Sequence, residues 1–338
     1  MAKDLHVAIV GATGAVGIEM IATLERRRFP VGKLTLLASA RSAGKALNFR
    51  GVSVPVAELR EDSFAGVDVA LFSAGASISK KFAPIAVQSD AIVIDNSSAF
   101  RLDENVPLVI PEINGDDVRK HRGIIANPNC TTAVTLMALY PLHRAFGVKR
   151  IFAASYQAVS GTGAQAIDEL RAQVEDTIAQ RPLKPNVYPH PIAFNVLPHV
   201  DAFLDTGYTK EEMKMQHEGR RIMHHQTFRA SVTCVRVPVY RTHSVAVNAE
   251  FQKPVSLEKA RDVCAKAPGL ELVDNPALNE YPMPLTCAGR DNCQVGRLRI
   301  DCALENGLAF WVCGDQLLKG AALNAVQIAE LLLPRFPS

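Results

Sequence analysis

Apolar and polar positions change their rhythm partway along the chain. Leu5-His6-Val7-Ala8-Ile9-Val10 is a continuous apolar run that reads as a buried strand, followed by glycines and a helical pattern through about Arg28. Further runs predict strands over 34–38, 67–72, 91–95 and 123–126, with a helix over 77–88. Strands alternating with helices predict right-handed βαβ crossovers and a mostly parallel sheet. Continuous rather than alternating hydrophobicity fits strands buried on both faces.

From about Ala133 the pattern differs. A helix over 131–146 leads into a strand over 150–156, and later candidates over 231–237 and 244–250 alternate apolar with polar residues. Alternation suits an antiparallel sheet with one face packed. The Pro-rich stretch 181–198 predicts an extended connector, and 315–333 an apolar-striped helix stopped by Pro334.

Composition narrows the classes. At 338 residues the chain suggests about two domains, at roughly 150 residues each. Hydrophobic residues are 48% and charged residues 21%, which supports a packed core and disfavours disorder. The net charge of +3 leaves no footprint for nucleic acid, and Arg26-Arg27-Arg28 reads as a solvated helix end. No apolar run approaches the roughly 18–20 residues that span a bilayer. Met1-Ala2-Lys3-Asp4 leads straight into the first strand without a signal-peptide pattern, so a soluble, cytoplasmic protein is expected. The 7 cysteines are diluted and none is spaced C-x-x-C, which predicts free thiols, most of them small buried hydrophobes. The spacing of Cys287, Cys293, Cys302 and Cys313 matches no zinc pattern, so no metal is expected.

The first loop, Gly11-Ala12-Thr13-Gly14-Ala15-Val16-Gly17, is spaced G-x-x-G-x-x-G rather than the strict G-x-G-x-x-G. Such a turn brings bare backbone and the free N–H groups of a helix N-terminus up to a pyrophosphate. The bland alternative is a glycine-rich turn without a ligand. The second strand ends Ala38-Ser39-Ala40-Arg41-Ser42, with no acid for a ribose 2′-OH but with a cation and hydroxyls. That favours a 2′-phosphate, and so NADP over NAD, unless Arg41 is only a surface residue.

The strongest chemical signal is Asn127-Pro128-Asn129-Cys130-Thr131-Thr132. A strand ends, a turn follows, and a cysteine stands at the start of an apolar-striped helix. There the helix dipole and unpaired N–H groups favour a thiolate and could stabilise an oxyanion on an acyl carbon. The polar neighbours argue against an inert buried cysteine.

With Tyr156-Gln157-Ala158-Val159-Ser160-Gly161-Thr162-Gly163, these elements resemble the aspartate-semialdehyde dehydrogenase family over essentially the whole chain. The resemblance implies an α/β fold: a Rossmann-like parallel-sheet NADP-binding domain over 1–130 plus 316–338, and an α+β catalytic and dimerisation domain with a mostly antiparallel sheet over 131–315. It implies Cys130 as the acylated nucleophile, Gln157 as a substrate-orienting residue, and Asn129 at the substrate. Gly11, Thr13, Gly14, Ala15, Val16, Arg41, Ser42, Ser160, Gly161 and Gln316 would hold NADP(H). Within Thr233-Cys234-Val235-Arg236-Val237-Pro238-Val239-Tyr240-Arg241-Thr242-His243 the family spacing picks Arg236 for a carboxylate and His243 as acid/base, leaving Arg241 without a role. A guanidinium suits bidentate carboxylate binding, and an imidazole titrates near neutrality and could take a proton from a thiol.

Arg101 and Lys214 resemble the family's phosphate holders, and Glu211 its partner for the substrate ammonium. Without the resemblance, Glu211 and Lys214 read as a solvated helix face, and His224-His225 as a wet helix surface. One departure is Gly314-Asp315-Gln316-Leu317-Leu318-Lys319-Gly320-Ala321, where the family commonly has Asn at the position of Gln316.

The implied activity is NADPH-dependent reductive dephosphorylation of L-4-aspartyl phosphate to L-aspartate 4-semialdehyde, toward lysine (through diaminopimelate), methionine and threonine. A homodimer or homotetramer is implied, acting on a small substrate and phosphate, with no nucleic-acid or membrane partner. The alternatives are a related acyl-phosphate reductase of the N-acetylglutamyl-phosphate type or a non-catalytic NADP-binding paralogue. The former typically has glycine where this chain has Asn129, and a silent paralogue need not keep Cys130, Gln157, Arg236 and His243 together.

Overall fold

The computed structural model describes residues 4–336. The Met1–Lys3 stretch read for a leader pattern, and the 1–3 and 337–338 ends of the expected nucleotide domain, lie outside the described residues. The chain divides into two compact units: one ends at Asn129 and resumes at Ala321, and the other runs Cys130–Gly320.

The first unit opens with β1 (Leu5–Val10), α1 (Ala15–Arg26) and β2 (Val31–Ala38), then a hairpin of β3 (Ala46–Phe49) and β4 (Val52–Glu58). There follow β5 (Val69–Phe72), α2 (Ala76–Gln88), β6 (Ile92–Asp95), the short α3 (Pro111–Asn114) and β7 (Ile124–Ala126). The sheet order is β3-β4-β2-β1-β5-β6-β7, parallel throughout except for β3 against β4. The hairpin falls in a stretch where no strand was predicted. Its strands are largely exposed and alternating, with Pro55 tolerated beside the β3 edge strand, so they lack the continuous apolar runs of the central strands.

The second unit begins with α4 (Cys130–Phe146) and β8 (Val148–Gln157), continues through α5 (Ala164–Ile178), α6 (Lys210–Ile222), β9 (Arg229–Arg236) and β10 (His243–Phe251), and closes with α7 (Leu257–Ala265), β11 (Leu270–Leu272), α8 (Pro284–Cys287), β12 (Cys293–Ile300) and β13 (Gly307–Gly314). Its sheet, ordered β11-β12-β13-β10-β8-β9, is antiparallel at β12/β13, β13/β10 and β10/β8 and parallel at both edges.

The chain then returns to the first unit through α9 (Leu323–Leu332). The helix expected over 315–333 is broken. Leu318–Ala322 form one wide π turn, the α-helix starts only at Leu323, and residues 315–320 stay with the second unit.

β1 shows why the first sheet reads as continuous apolar runs. Leu5, Val7 and Ile9 face one side, packed with Met20 and Leu24 of α1 and Val326, Ala329 and Leu332 of α9. Ala8 and Val10 face the other, against Phe82, Ala83 and Ala86 of α2. Each large aliphatic side chain buried this way contributes about 1.5–3 kcal/mol relative to exposure. Polar ties fix α9 in place: Asn324 donates to Val109 O (2.9 Å) and Asn127 Oδ1 (2.6 Å), and Arg27 grips Glu330 with two bonds of 2.6 and 2.8 Å. No helix among the described residues is long and apolar enough to cross a membrane.

Candidate active site

Cys130 is the first residue of α4 and only half-buried. The π turn lies against it: a Cβ on Gly320 would fall 2.7 Å from Cys130 Cβ. Single π turns often sit at functional sites, and this one brings backbone closer to the sulfur's own residue than any side chain would allow.

The strand ends supply the other groups. β8 and β9 run parallel with Gln157 and Arg236 in register, so both side chains leave the sheet at the same edge, where His243 opens β10. Gln157 is aimed from both sides. Ser155, two residues back on the same face, donates its hydroxyl to Gln157 Oε1 (3.0 Å), and Gln157 Nε2 donates to Glu211 Oε1 (3.1 Å).

Glu211 lies in the first turn of α6, which a reciprocal cap secures: Thr209 Oγ1 accepts from Glu212 N–H at 3.3 Å, and Glu212 Oε2 accepts from Thr209 N–H at 2.7 Å. Lys214 donates to Glu211 Oε2 (2.8 Å) and Asp201 Oδ2 (2.9 Å). A solvated face is therefore the wrong picture here, since Glu211 is 7% exposed. Burial opposes the charge on Lys214, but the two carboxylates outweigh it and hold its pKa above the ordinary lysine value.

Ala158 anchors two candidates at once. Its carbonyl accepts from Arg236 Nη1 (2.7 Å), and its amide donates to His243 Nδ1 (3.1 Å). The Arg236 guanidinium lies 5.9 Å from the Tyr188 ring centroid, is buried, has no carboxylate partner among the described residues, and leaves Nε unpartnered. Arg241 is different, because it is paired with Asp315 at 2.5 Å. A buried cation without a counter-ion is a place for an anionic substrate group.

His243 is fully buried, and burial, helped by the nearby Arg236 charge, pushes its pKa down to about 3. Because Nδ1 accepts a backbone N–H, the neutral ring carries its proton on Nε2, a buried atom with no partner among the described residues. In this tautomer Nε2–H is a hydrogen-bond donor. Gly161 lies between the two groups: a Cβ there would stand 3.0 Å from Arg236 Nη1 and 3.2 Å from His243 Nε2.

Gln316, expected at the nicotinamide ribose, has both amide ends engaged within the second unit. Oε1 accepts from Thr242 N–H (2.7 Å) and Nε2 donates to Ser160 Oγ. The first of these bonds holds Thr242 at φ 81, a strained backbone for a β-branched residue next to His243. The His224-His225 pair is not on a helix surface. α6 ends before it, His225 stacks on His143 (5.0 Å), and both rings bond the backbone of Val148.

The remaining candidates lie in the first unit. Arg101 is buried and donates to Asn127 O (2.8 Å) and Asn96 O (2.7 Å), and Asn129 is also buried. Gly11 (φ 87) and Gly17 are dictated by packing, because Cβ atoms there would strike Ser73 O at 2.5 Å and Gly11 O at 2.3 Å. Gly14 is the exposed N-cap of α1, with no side-chain cap and no acid in the first turn, while Thr13, Ala15 and Val16 flank it half-buried. An uncapped N-terminus with room above it fits a pyrophosphate. Arg41 is exposed just beyond β2, whereas Ser42 is buried. Cys234, Cys264, Cys287, Cys293 and Cys313 are buried, as expected for most of the cysteines, and Cys302 is exposed. Among the described residues no group of three His, Cys, Asp or Glu side chains is placed to hold a metal.

A unit with a parallel sheet and a glycine-rich first turn, and a second unit that opens with a helix-start cysteine, define the class. Residues 6–121 match the family described as semialdehyde dehydrogenase, NAD binding domain, and residues 139–319 match semialdehyde dehydrogenase, dimerisation domain. The chain is 52% identical to the aspartate-semialdehyde dehydrogenase of Aquifex aeolicus, covering 97% of this chain and 98% of that one, and 47% identical to that of Bacillus subtilis, covering 98% of each. A crystal structure of aspartate semialdehyde dehydrogenase II from Vibrio cholerae, complexed with ASA, superposes with a TM-score of 0.96 at 43% identity, covering 99% of this chain and 100% of that one. The chain belongs to the aspartate-semialdehyde dehydrogenase family. Its dimerisation domain implies a homo-oligomer.

Proposed function

We propose that the protein reduces L-4-aspartyl phosphate to L-aspartate 4-semialdehyde with NADPH, releasing phosphate, in the biosynthesis of lysine, methionine and threonine, and that it works as a homodimer or homotetramer. The observation that carries the reading is Arg236, a buried guanidinium without a carboxylate partner among the described residues, anchored to the same residue as His243.

Arg236 would bind the substrate α-carboxylate, and Glu211 its ammonium. Arg101 and Lys214 would bind phosphate. Cys130, at the α4 N-terminus whose dipole supports a thiolate, attacks the acyl carbon. The C–S bond forms as the bond to the phosphate oxygen breaks, leaving a thioester. Gln157, fixed by Ser155 and Glu211, orients the acyl group, and His243 Nε2–H donates to developing negative charge. The first unit is the nucleotide domain in this reading. The Gly14 end of α1 would take the pyrophosphate, Arg41 the 2′-phosphate, and the backbone of Ser160 and Gly161 the nicotinamide end. When bound, the nicotinamide supplies the hydride that turns the thioester into the aldehyde.

The test runs the reaction backwards. Aspartate semialdehyde should reduce NADP only when inorganic phosphate is present, with absorbance rising at the reduced-nicotinamide band. Absence of turnover, or turnover independent of phosphate, defeats the reading.

A further inference from the structure

Lys214 has a second acidic neighbour that the proposed reaction does not use. Asp201 holds it at 2.9 Å from the Pro-rich connector side, opposite the 2.8 Å bond to Glu211. The carboxylate is aimed by its own backbone: Asp201 sits at φ 69, and its Oδ1 accepts the Ala202 N–H at 2.8 Å. Burial alone would raise its pKa, but Lys214 and the Ala202 amide overcome that and hold it below the usual carboxylate value. Asp201 is thus an ionised counter-ion at working pH.

We infer that Asp201 competes with phosphate for Lys214 and so sets the enzyme's affinity for phosphate, an inference that rests on Lys214 being the phosphate holder. An ammonium has three donors, and Glu211 and Asp201 take two of them. The trio carries one net negative charge, so a phosphate dianion meets repulsion as well as a cation. Glu211 cannot relieve this, being 7% exposed and tied to Gln157. The Asp201 side chain is 36% exposed and can turn toward water with little loss of solvation. Neutralising it leaves the trio uncharged and returns a donor to the incoming anion.

The enzyme should be compared with Asp201→Asn, Asp201→Ala and Lys214→Met, varying phosphate at saturating aspartate semialdehyde and NADP, with inorganic phosphate binding measured alongside by calorimetry. In the Asp201 variants KM and Kd for phosphate should fall about two- to fivefold, the scale of one partly exposed ion pair, while KM for the aldehyde stays unchanged. A merely structural role for Asp201 would raise these constants or leave them alone. If Lys214→Met weakens phosphate binding but neither Asp201 variant tightens it, the counter-charge inference fails by itself. If Lys214→Met leaves phosphate binding unchanged, the phosphate role of Lys214 fails and the inference with it.

Discussion

Asp315 pairs with Arg241 at 2.5 Å, its side chain fully buried, and this pairing separates two arginines that the sequence presents almost side by side. Asp315 Oδ2 also accepts the Gly289 N–H at 2.6 Å, so Arg241 belongs to a structural tie, while Arg236 has no carboxylate partner among the described residues. Lysine can preserve the Arg241 pair but cannot reproduce a guanidinium fork on a carboxylate. Arg236→Lys should lower kcat/KM for aspartate semialdehyde by about 10- to 150-fold, the value of a charged hydrogen bond of about 1.5–3 kcal/mol. Arg241→Lys should be mild in kinetics. A larger kinetic defect in Arg241→Lys would reverse the assignment, and with it the choice of His243.

The seven thiols should divide by reactivity. Burial pushes Cys234, Cys264 and Cys287 up to about 12 and Cys313 up to about 11, so none of these is a thiolate near neutrality. Cys130 should be alkylated first and protected by substrate, with the exposed Cys302 reacting more slowly and without protection. Peptide mass spectrometry after brief iodoacetamide treatment reads both. Cys130→Ala should abolish turnover while leaving NADPH binding within about twofold, because the α1 N-terminus is untouched. Residual activity near that of the parent enzyme would remove Cys130 from the reaction.

Cofactor choice should rest on Arg41, exposed beyond β2 with no acid beside it. NADP should be preferred over NAD in kcat/KM, and Arg41→Ala should narrow the preference chiefly by raising KM for NADP. One charged contact to the 2′-phosphate corresponds to about 10- to 150-fold. Equal use of the two nucleotides by the unaltered enzyme would show that Arg41 is a surface residue only.

Much of the architecture was legible because the central strands of the first unit are buried on both faces and so write themselves as continuous apolar runs, as Leu5 to Val10 does. The β3/β4 hairpin was not, because both its strands are largely solvated and their few buried positions form no apolar run. α5 also passed unread. Its buried Glu169 and Gln173 brace the Pro-rich connector through bonds to the amides of Asn186, Ile192 and Ala193, so polar residues occupy its inner face. In the candidate site, side chains with distinctive chemistry were picked out through the resemblance to the family's motifs. Ala158 and Gly320 were not, since one contributes only its peptide and the other only the absence of a side chain. The ties of Gln316 to Thr242 and Ser160 could not be read either, because these partners are distant in sequence. Nor could spacing show that His243 presents a donor, because a backbone amide decides that.

Acid should act on the protein through His243 and the partly buried His143. His243 is pushed down to about 3, and His143 is also held below its ordinary value by burial, by the stacked His225 and by Arg144. In the unfolded chain each would titrate near 6.5. Above that pH both states hold the rings neutral and stability is full. Below it the unfolded chain takes up protons that the folded rings refuse, so stability falls as the pH drops from about 6.5 toward the folded pKa values. Each refused proton steepens the loss by up to about 1.4 kcal/mol per pH unit. Urea midpoints measured from pH 7.5 to 4.5 should therefore decline below about 6.5, and His243→Gln should flatten the decline by up to one proton's slope. The kcat/KM profile should show no inflection near 6.5 that disappears in this variant, because His243 is already neutral there. An inflection at that pH lost on His243→Gln would mean that the ring charges in the working enzyme, and that the Ala158 amide does not hold its tautomer.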